Sequence, residues 1–288
     1  MNKLLVRLDA STAKELACPK KFEFQNLMGL QPVVPSHALE FGQAFHRAIA
    51  AWLRGTPGEE AIMIAVNYYA KSKCAVPEKD FRQPGMLVTA LMTYFKTYKY
   101  DAFKVARNNS GELAVELPFY LPFLSFDHVD FVLTGVVDAL GTQGVKCFKD
   151  IKTTSNKRPS VYLSDYEISL QMMLYSYILK TKGWCDYYPP YIIDGVFVGQ
   201  SNPILERTQL MDVRPDLVEE LIEWITEQCH HLAERIKNGK HLRNFAYCKA
   251  NFGCDFYDVC AAQEAYREHL LNTKYTTRVY DPATFGTD

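Results

Sequence analysis

The residues best suited to chemistry lie near the middle of this sequence. Asp138 closes the run Gly135-Val136-Val137-Asp138, and Asp150-Ile151-Lys152 follows a short turn. Two carboxylates on neighbouring strands offer hard oxygen donors, which suit Mg²⁺ or Mn²⁺. Asp150 and Lys152 are two apart, so on a strand they share a face. A lysine placed there can polarise a water or steady negative charge beside the ion. His46 ends the upstream run Phe41-Gly42-Gln43-Ala44-Phe45-His46. Downstream, Gln171 and Tyr175 have the four-residue spacing that sets both on one helix face. Taken singly, an Asp-x-Lys triplet suits the solvated face of an edge hairpin, and a lone histidine suits an ordinary helix surface. The ordered set is what points to chemistry.

The turn between the acidic strands decides whether those groups meet. A two-residue turn at Thr142 and Gln143 pairs Asp138 with Cys147 and turns it away from Asp150. A three-residue turn, 142–144, pairs Asp138 with Phe148 and gathers the charged groups on one face. Gly144 suits the positive φ that ends such a turn, so the longer turn or an equivalent bulge is expected.

A second constellation is built of thiols. Of eight cysteines, Cys248, Cys254 and Cys260 cluster late in the chain, and Cys18 stands far upstream in Ala17-Cys18-Pro19-Lys20-Lys21. A chain of 288 residues can bury a core without disulfide staples, so the cluster reads as metal or redox chemistry. Four thiolates satisfy either a [4Fe–4S] cluster or structural zinc. Cys74, Cys147, Cys185 and Cys229 lack such company and read as bland thiols. His230 and His231 have no partner at metal spacing.

The elements that must position these groups follow from periodicity. An N-terminal helix is expected from a capping box at Thr12 and Glu15 to a stop at Gly29. Further helices are expected over 37–53, 59–75, 84–98, 164–181 and 215–239. Strands are expected over 112–119, 129–140, 145–152 and 192–198. Helices, a β-rich centre and helices again suggest one α/β domain with helical flanks and no evident internal boundary. The formal charge of −1 excludes a uniformly basic surface but not a local nucleic-acid patch. Lys157 and Arg158, in the polar stretch after Lys152, are the candidate DNA-phosphate contacts. No apolar run reaches membrane-span length and the first residues are too briefly apolar for a secretory signal, so the chain reads as cytoplasmic.

The order His46, Asp138, Asp150-x-Lys152, Gln171-x-x-x-Tyr175 resembles the RecB-like branch of the PD-(D/E)XK nuclease superfamily. The likeness runs from Ser11 to Cys260. It implies a restriction-endonuclease-like core, a mixed central sheet flanked by helices, within a single domain spanning 1–288. It implies a Mg²⁺ or Mn²⁺ site made by His46, Asp138, Asp150 and the Ile151 backbone carbonyl. Lys152 would orient or activate the attacking water, with Gln171 and Tyr175 supporting DNA and lysine. Asp150 stands where many members carry Glu. Glu116 sits where relatives often have an acid, and suits a structural strand residue equally well. One cysteine before the core and three after it resemble that branch's iron–sulfur clamp, joining segments 10–30 and 240–262; zinc is the alternative. The implied activity is metal-dependent DNA hydrolysis, as an exonuclease at ends or in single strands, in recombination, repair or CRISPR adaptation. With no P-loop in the sequence, a helicase, like a recombinase or a CRISPR-adaptation protein, would be a separate partner. The competing class is a catalytically weak DNA-end-binding or partner-docking module on the same fold.

Overall fold

The computed structural model describes residues 3–72, 74–108, 111–248 and 253–278. Along the chain run β1 (Leu4–Leu8), α1 (Ala10–Glu15), α2 (Pro19–Phe22) with a π-helical turn (Glu23–Leu27), β2 (Leu30–Pro32), α3 (His37–Leu53), α4 (Gly58–Lys71) and α5 (Pro84–Thr97). Next come β3 (Lys104–Val105), β4 (Val115–Ser125), β5 (Val129–Gln143), β6 (Val145–Thr154), α6 (Pro159–Ser164), α7 (Leu170–Thr181), β7 (Tyr191–Phe197) and β8 (Ile204–Arg207). The chain ends with α8 (Pro215–Asn238), α9 (Tyr257–Ala261), α10 (Glu264–Lys274) and β9 (Tyr275–Thr277). The fold is α/β, with a mixed sheet ordered β1-β5-β6-β7-β8 and flanked by helices; β3 and β4 also pair with β5. Residues 249–252, within the expected cysteine clamp, lie outside the described set.

The described residues form two compact units. One takes residues from 3–33, 119–135 and 216–278. Here β1 lies parallel to the start of β5, pairing Leu4 with Val129 through Leu8 with Leu133. Helix α8 buries Val218, Leu221, Ile225, Cys229 and Leu232, the one-sided stripe that a 3.6-residue period provides. The expected cap at Thr12 is displaced to Asp9. Its carboxylate accepts from the Ser11 and Thr12 N–H groups, while Thr12 Oγ1 accepts from the Asp9 N–H.

The other unit takes residues 34–118 and 136–215 and holds the acidic hairpin. Strand β6 is antiparallel to β5 and parallel to β7. Phe41, Ala44, Phe45 and Ala48 of α3 share one core with Ala61 and Ala65 of α4, Leu87 and Leu91 of α5, and Ile151 of β6. The alanines permit close helix approach, and α3 thereby docks on the face of β6 that carries Ile151. On β6, Lys149 is only 1% exposed and meets Asp101 at 2.6 Å and Asp194 at 3.5 Å; Arg207 pairs with the same two acids. Such a buried ammonium needs paired carboxylates to stay charged.

The hairpin closes more tightly than expected. Gln143 pairs with Val145, leaving Gly144 alone between them at φ +78°. The last pair toward the site is Ala139 with Lys149. The register differs by two residues from pairing Asp138 with Phe148. A two-residue shift preserves side-chain parity, so Asp138 and Asp150 remain on matching sides. Of the helix expected over 164–181, only Leu170–Thr181 forms as α7; 165–169 is a turn that follows the separate short helix α6. The intervening turn is held by the Tyr191 hydroxyl, which donates to the Tyr166 carbonyl.

Candidate active site

Helix α3 brings His46 to the hairpin. Its Nδ1 lies 3.4 Å from Asp138 Oδ1 and 3.5 Å from Glu116 Oε1. Asp138 Oδ2 accepts the Ile151 N–H at 2.6 Å. An extended residue points its N–H and C=O to the same strand edge, so the Ile151 carbonyl also lies on the Asp138 side. Beside this group, Lys152 Nζ sits 2.7 Å from Asp150 Oδ2. Gln171 ties the pair together: its Oε1 accepts from Lys152 at 3.0 Å, and its Nε2 donates to Asp150 Oδ1 at 3.0 Å and to the Tyr175 hydroxyl at 3.2 Å. The four-residue spacing of Gln171 and Tyr175 therefore does serve one face of α7.

The charges are mutually dependent. Burial pushes the His46 imidazole down, but Asp138 and Glu116 outweigh it and hold His46 well above the ordinary histidine range. Burial lifts Asp138, yet His46 and Lys152 bring it below the usual carboxylate range. Glu116 is raised by burial and by the charge of Asp138. Asp150 is pushed up to about 6, chiefly by burial and against the pull of Lys152. Burial would lower Lys152, but Asp150 and Asp138 more than compensate and raise it.

Among the described residues, His46, Glu116 and Asp138 form the one set of three metal-type ligand atoms within 4.8 Å of each other. Glu116 was open to a structural reading, and the structure turns its carboxylate inward. It is also the one non-glycine among the described residues with positive φ, at +49°. Backbone strained in this way clusters at functional sites. Arg54 steadies the adjoining peptide by donating to the Val115 carbonyl at 2.9 Å. Asp150 lies outside this triad, engaged by Lys152 and Gln171. Lys157 and Arg158 are exposed in the segment after β6, with no ion pair among the described residues.

The thiol constellation forms in the other unit. Cys18, Cys248, Cys254 and Cys260 line one pocket with Lys21, Arg243, Tyr247, Phe256 and Tyr257. All eight cysteines are free thiols. The two ends of the chain are stitched there by Asn244 Nδ2 donating to the Ala17 carbonyl at 2.8 Å and by the Lys20 N–H donating to the Leu242 carbonyl at 3.1 Å.

A family model for the PD-(D/E)XK nuclease superfamily matches residues 11–261. The chain belongs to that superfamily. Members are hydrolases of phosphodiester bonds that act on DNA with divalent metals. No curated protein matches the chain. Among solved structures, a Eubacterium rectale protein titled "Putative exonuclease" is 15% identical, with a TM-score of 0.53 over 90% of this chain and 89% of its own. That likeness supports the fold. SSO0001 is 12% identical, with a TM-score of 0.36 over 91% of this chain and 88% of its own. Among the described residues, no helix is long and apolar enough to cross a membrane.

The residues of this PD-(D/E)XK nuclease fit a divalent cation on their chemistry. Three carboxylates and a backbone carbonyl are the oxygen donors that hard cations prefer, and one imidazole completes the set. Asp150 is buried, and its Oδ2 meets the Lys152 ammonium at 2.7 Å. Burial raises Glu116 and Asp150, and the Asp138 charge adds to it, so a bound cation would relieve both carboxylates. Sequence alone ranked Glu116 low because no short motif surrounds it; its position just before the long β-run was the available signal.

Proposed function

We propose that this PD-(D/E)XK nuclease is a RecB-like, Mg²⁺- or Mn²⁺-dependent exonuclease that hydrolyses DNA at ends or in single strands. The observation that carries it is the junction of the His46–Glu116–Asp138 triad with the Lys152–Asp150–Gln171 set. His46, Asp138, Asp150 and the Ile151 carbonyl would hold the metal, and Glu116 joins them. Bound there, the metal supplies Lewis-acid stabilisation of charge on the attacking and leaving oxygens.

The chain's own groups do the rest. Lys152, raised above its ordinary range, keeps its proton at neutral pH. It is thus placed as a donor that orients or activates the attacking water and steadies charge on phosphate. Gln171 fixes the lysine's direction, and Tyr175 backs Gln171. Lys157 and Arg158 extend positive charge along the strand, contacting phosphate without reading bases. The superfamily match runs through both units, which supports their working as one nuclease domain.

We further assign a structural [4Fe–4S] cluster to Cys18, Cys248, Cys254 and Cys260, the clamp of the RecB-like branch. The four thiols line one pocket, and four thiolates are what such a cluster needs; structural zinc is the alternative. The biological setting that suits such an enzyme is DNA recombination, repair or CRISPR adaptation, beside a separate helicase or recombinase.

The test is degradation of end-labelled linear DNA with Mn²⁺, alongside a closed circle of the same sequence. Wild type should shorten the linear strand and spare the circle, while Asp150→Ala and Lys152→Ala bind DNA without cutting it. Equal cutting by wild type and both variants would overturn the site, and cutting of the circle would overturn exonuclease action.

A further inference from the structure

Two tyrosines beside Lys152 have no place in the mechanism so far. Lys152 pairs with Gly195 in the β6–β7 ladder, so the two occupy one face. A Cβ on Gly195 would meet the Phe197 ring at 2.6 Å and Leu163 Cδ2 at 3.2 Å. Glycine thus yields the space beside the lysine to Phe197 and to the buried Leu163 of α6. Phe197 in turn meets Tyr162 edge-on, with centroids 5.6 Å apart at 86°. The Tyr162 hydroxyl lies 3.1 Å from that of Tyr166, whose carbonyl is held by Tyr191. Both phenols feel the active-site charges: Tyr162 acts on Lys152, and Asp150 on Tyr166.

The pair has an unspent donor. Two phenols carry two O–H groups, and their mutual bond uses one. Among the described residues the other has no acceptor. Both side chains are half-buried, and Tyr162 packs edge-on against Phe197. A phenol O–H left over from the mutual bond, within electrostatic reach of the Lys152 cation, matches the needs of an anionic oxygen.

We propose that the Tyr162–Tyr166 hydroxyl pair positions substrate, donating its remaining O–H to a non-bridging oxygen of the DNA phosphate that Lys152 faces. The inference rests on the nuclease reading above. Phenylalanine variants test it, because they keep the rings and remove only the donors. Tyr162→Phe/Tyr166→Phe should lower kcat/KM on a single-stranded oligonucleotide with Mn²⁺ about tenfold, chiefly through KM, as expected for a lost bond to a charged acceptor. Melting temperature should stay that of wild type.

A methylphosphonate, which replaces one non-bridging oxygen with methyl, supplies the second readout. Moved linkage by linkage from the strand end, it should weaken wild-type binding most at one linkage, and about tenfold less there in the double variant, in which only the Lys152 and metal contacts remain to be lost. An unchanged KM, or the same linkage-specific loss in both proteins, overturns the proposal. A loss seen in Tyr162→Ala but absent in the phenylalanine variants also overturns it, in favour of base stacking. Asp150→Ala separates the two levels: a wild type that cuts while Asp150→Ala does not upholds the nuclease reading whatever the tyrosines show. A wild type that neither binds nor cuts DNA overturns both.

Discussion

Lys152 and Asp150 stand two residues apart on β6, and the ammonium meets the carboxylate at 2.7 Å with Gln171 bonded to both. A buried lysine would ordinarily lose its proton; here the neighbouring acids hold it. In the metal-free protein the lysine of the Asp-x-Lys triplet is therefore held as a cation.

This cation should dominate the chemical step. Lys152→Ala is expected to slow single-turnover cleavage with Mn²⁺ by about 10²–10³, the range seen when one positioned donor is removed from an active site. Gln171→Ala should slow it less, by about tenfold, since the ion pair survives without its bridge. Wild-type rates in Lys152→Ala would remove the lysine from the mechanism.

Asp150 should couple stability to pH. Its carboxyl is lifted from 3.8 to about 6, so the folded chain holds this proton more tightly than the unfolded chain does. Stability contributed by the group is present at low pH and is lost as pH rises through about 4 to 6. Asp150→Asn removes that loss and should stabilise the metal-free protein by about 1–3 kcal/mol at pH 7.5, with no gain at pH 4. Urea unfolding at both pH values measures it. A variant less stable than wild type at pH 7.5 contradicts the assignment.

Glu116 should matter for metal affinity more than for folding. Its carboxyl lies with His46 and Asp138, on a backbone with φ +49°. Glu116→Gln keeps shape and hydrogen bonding but removes one negative charge. Mn²⁺ binding by calorimetry should weaken at least tenfold, by the scale of losses known for groups around metal ligands. Unaltered affinity would return Glu116 to a structural role.

The thiol pocket should declare its metal by colour and stoichiometry. Protein purified without oxygen should be brown and carry about four irons per chain. Cys254→Ser should bleach it and lower the melting temperature, because the cluster closes a loop from Cys18 to the C-terminal cysteines, and long closures constrain the unfolded chain most. A colourless protein with one zinc would establish the alternative.

The sequence alone determined the pieces whose signals repeat within one element. The span His37–Leu53 of α3 was legible to the residue, because its apolar period is helical throughout. That Asp138 and Asp150 share a side was legible from strand parity, which admits only two answers. The superfamily order of His46, Asp138, Asp150, Lys152, Gln171 and Tyr175 was legible for the same reason: each lies at a fixed place on a recognisable element. What only the tertiary structure decided are matters of distance. The strand at Leu4–Leu8, the turn between α6 and α7, and the inward turn of Glu116 each depend on a partner far away in sequence, and the tight closure at Gly144 depends on how β5 and β6 pair. Periodicity specifies which face a residue occupies, but contacts between distant segments set how near two side chains come, and ligand geometry depends on the latter.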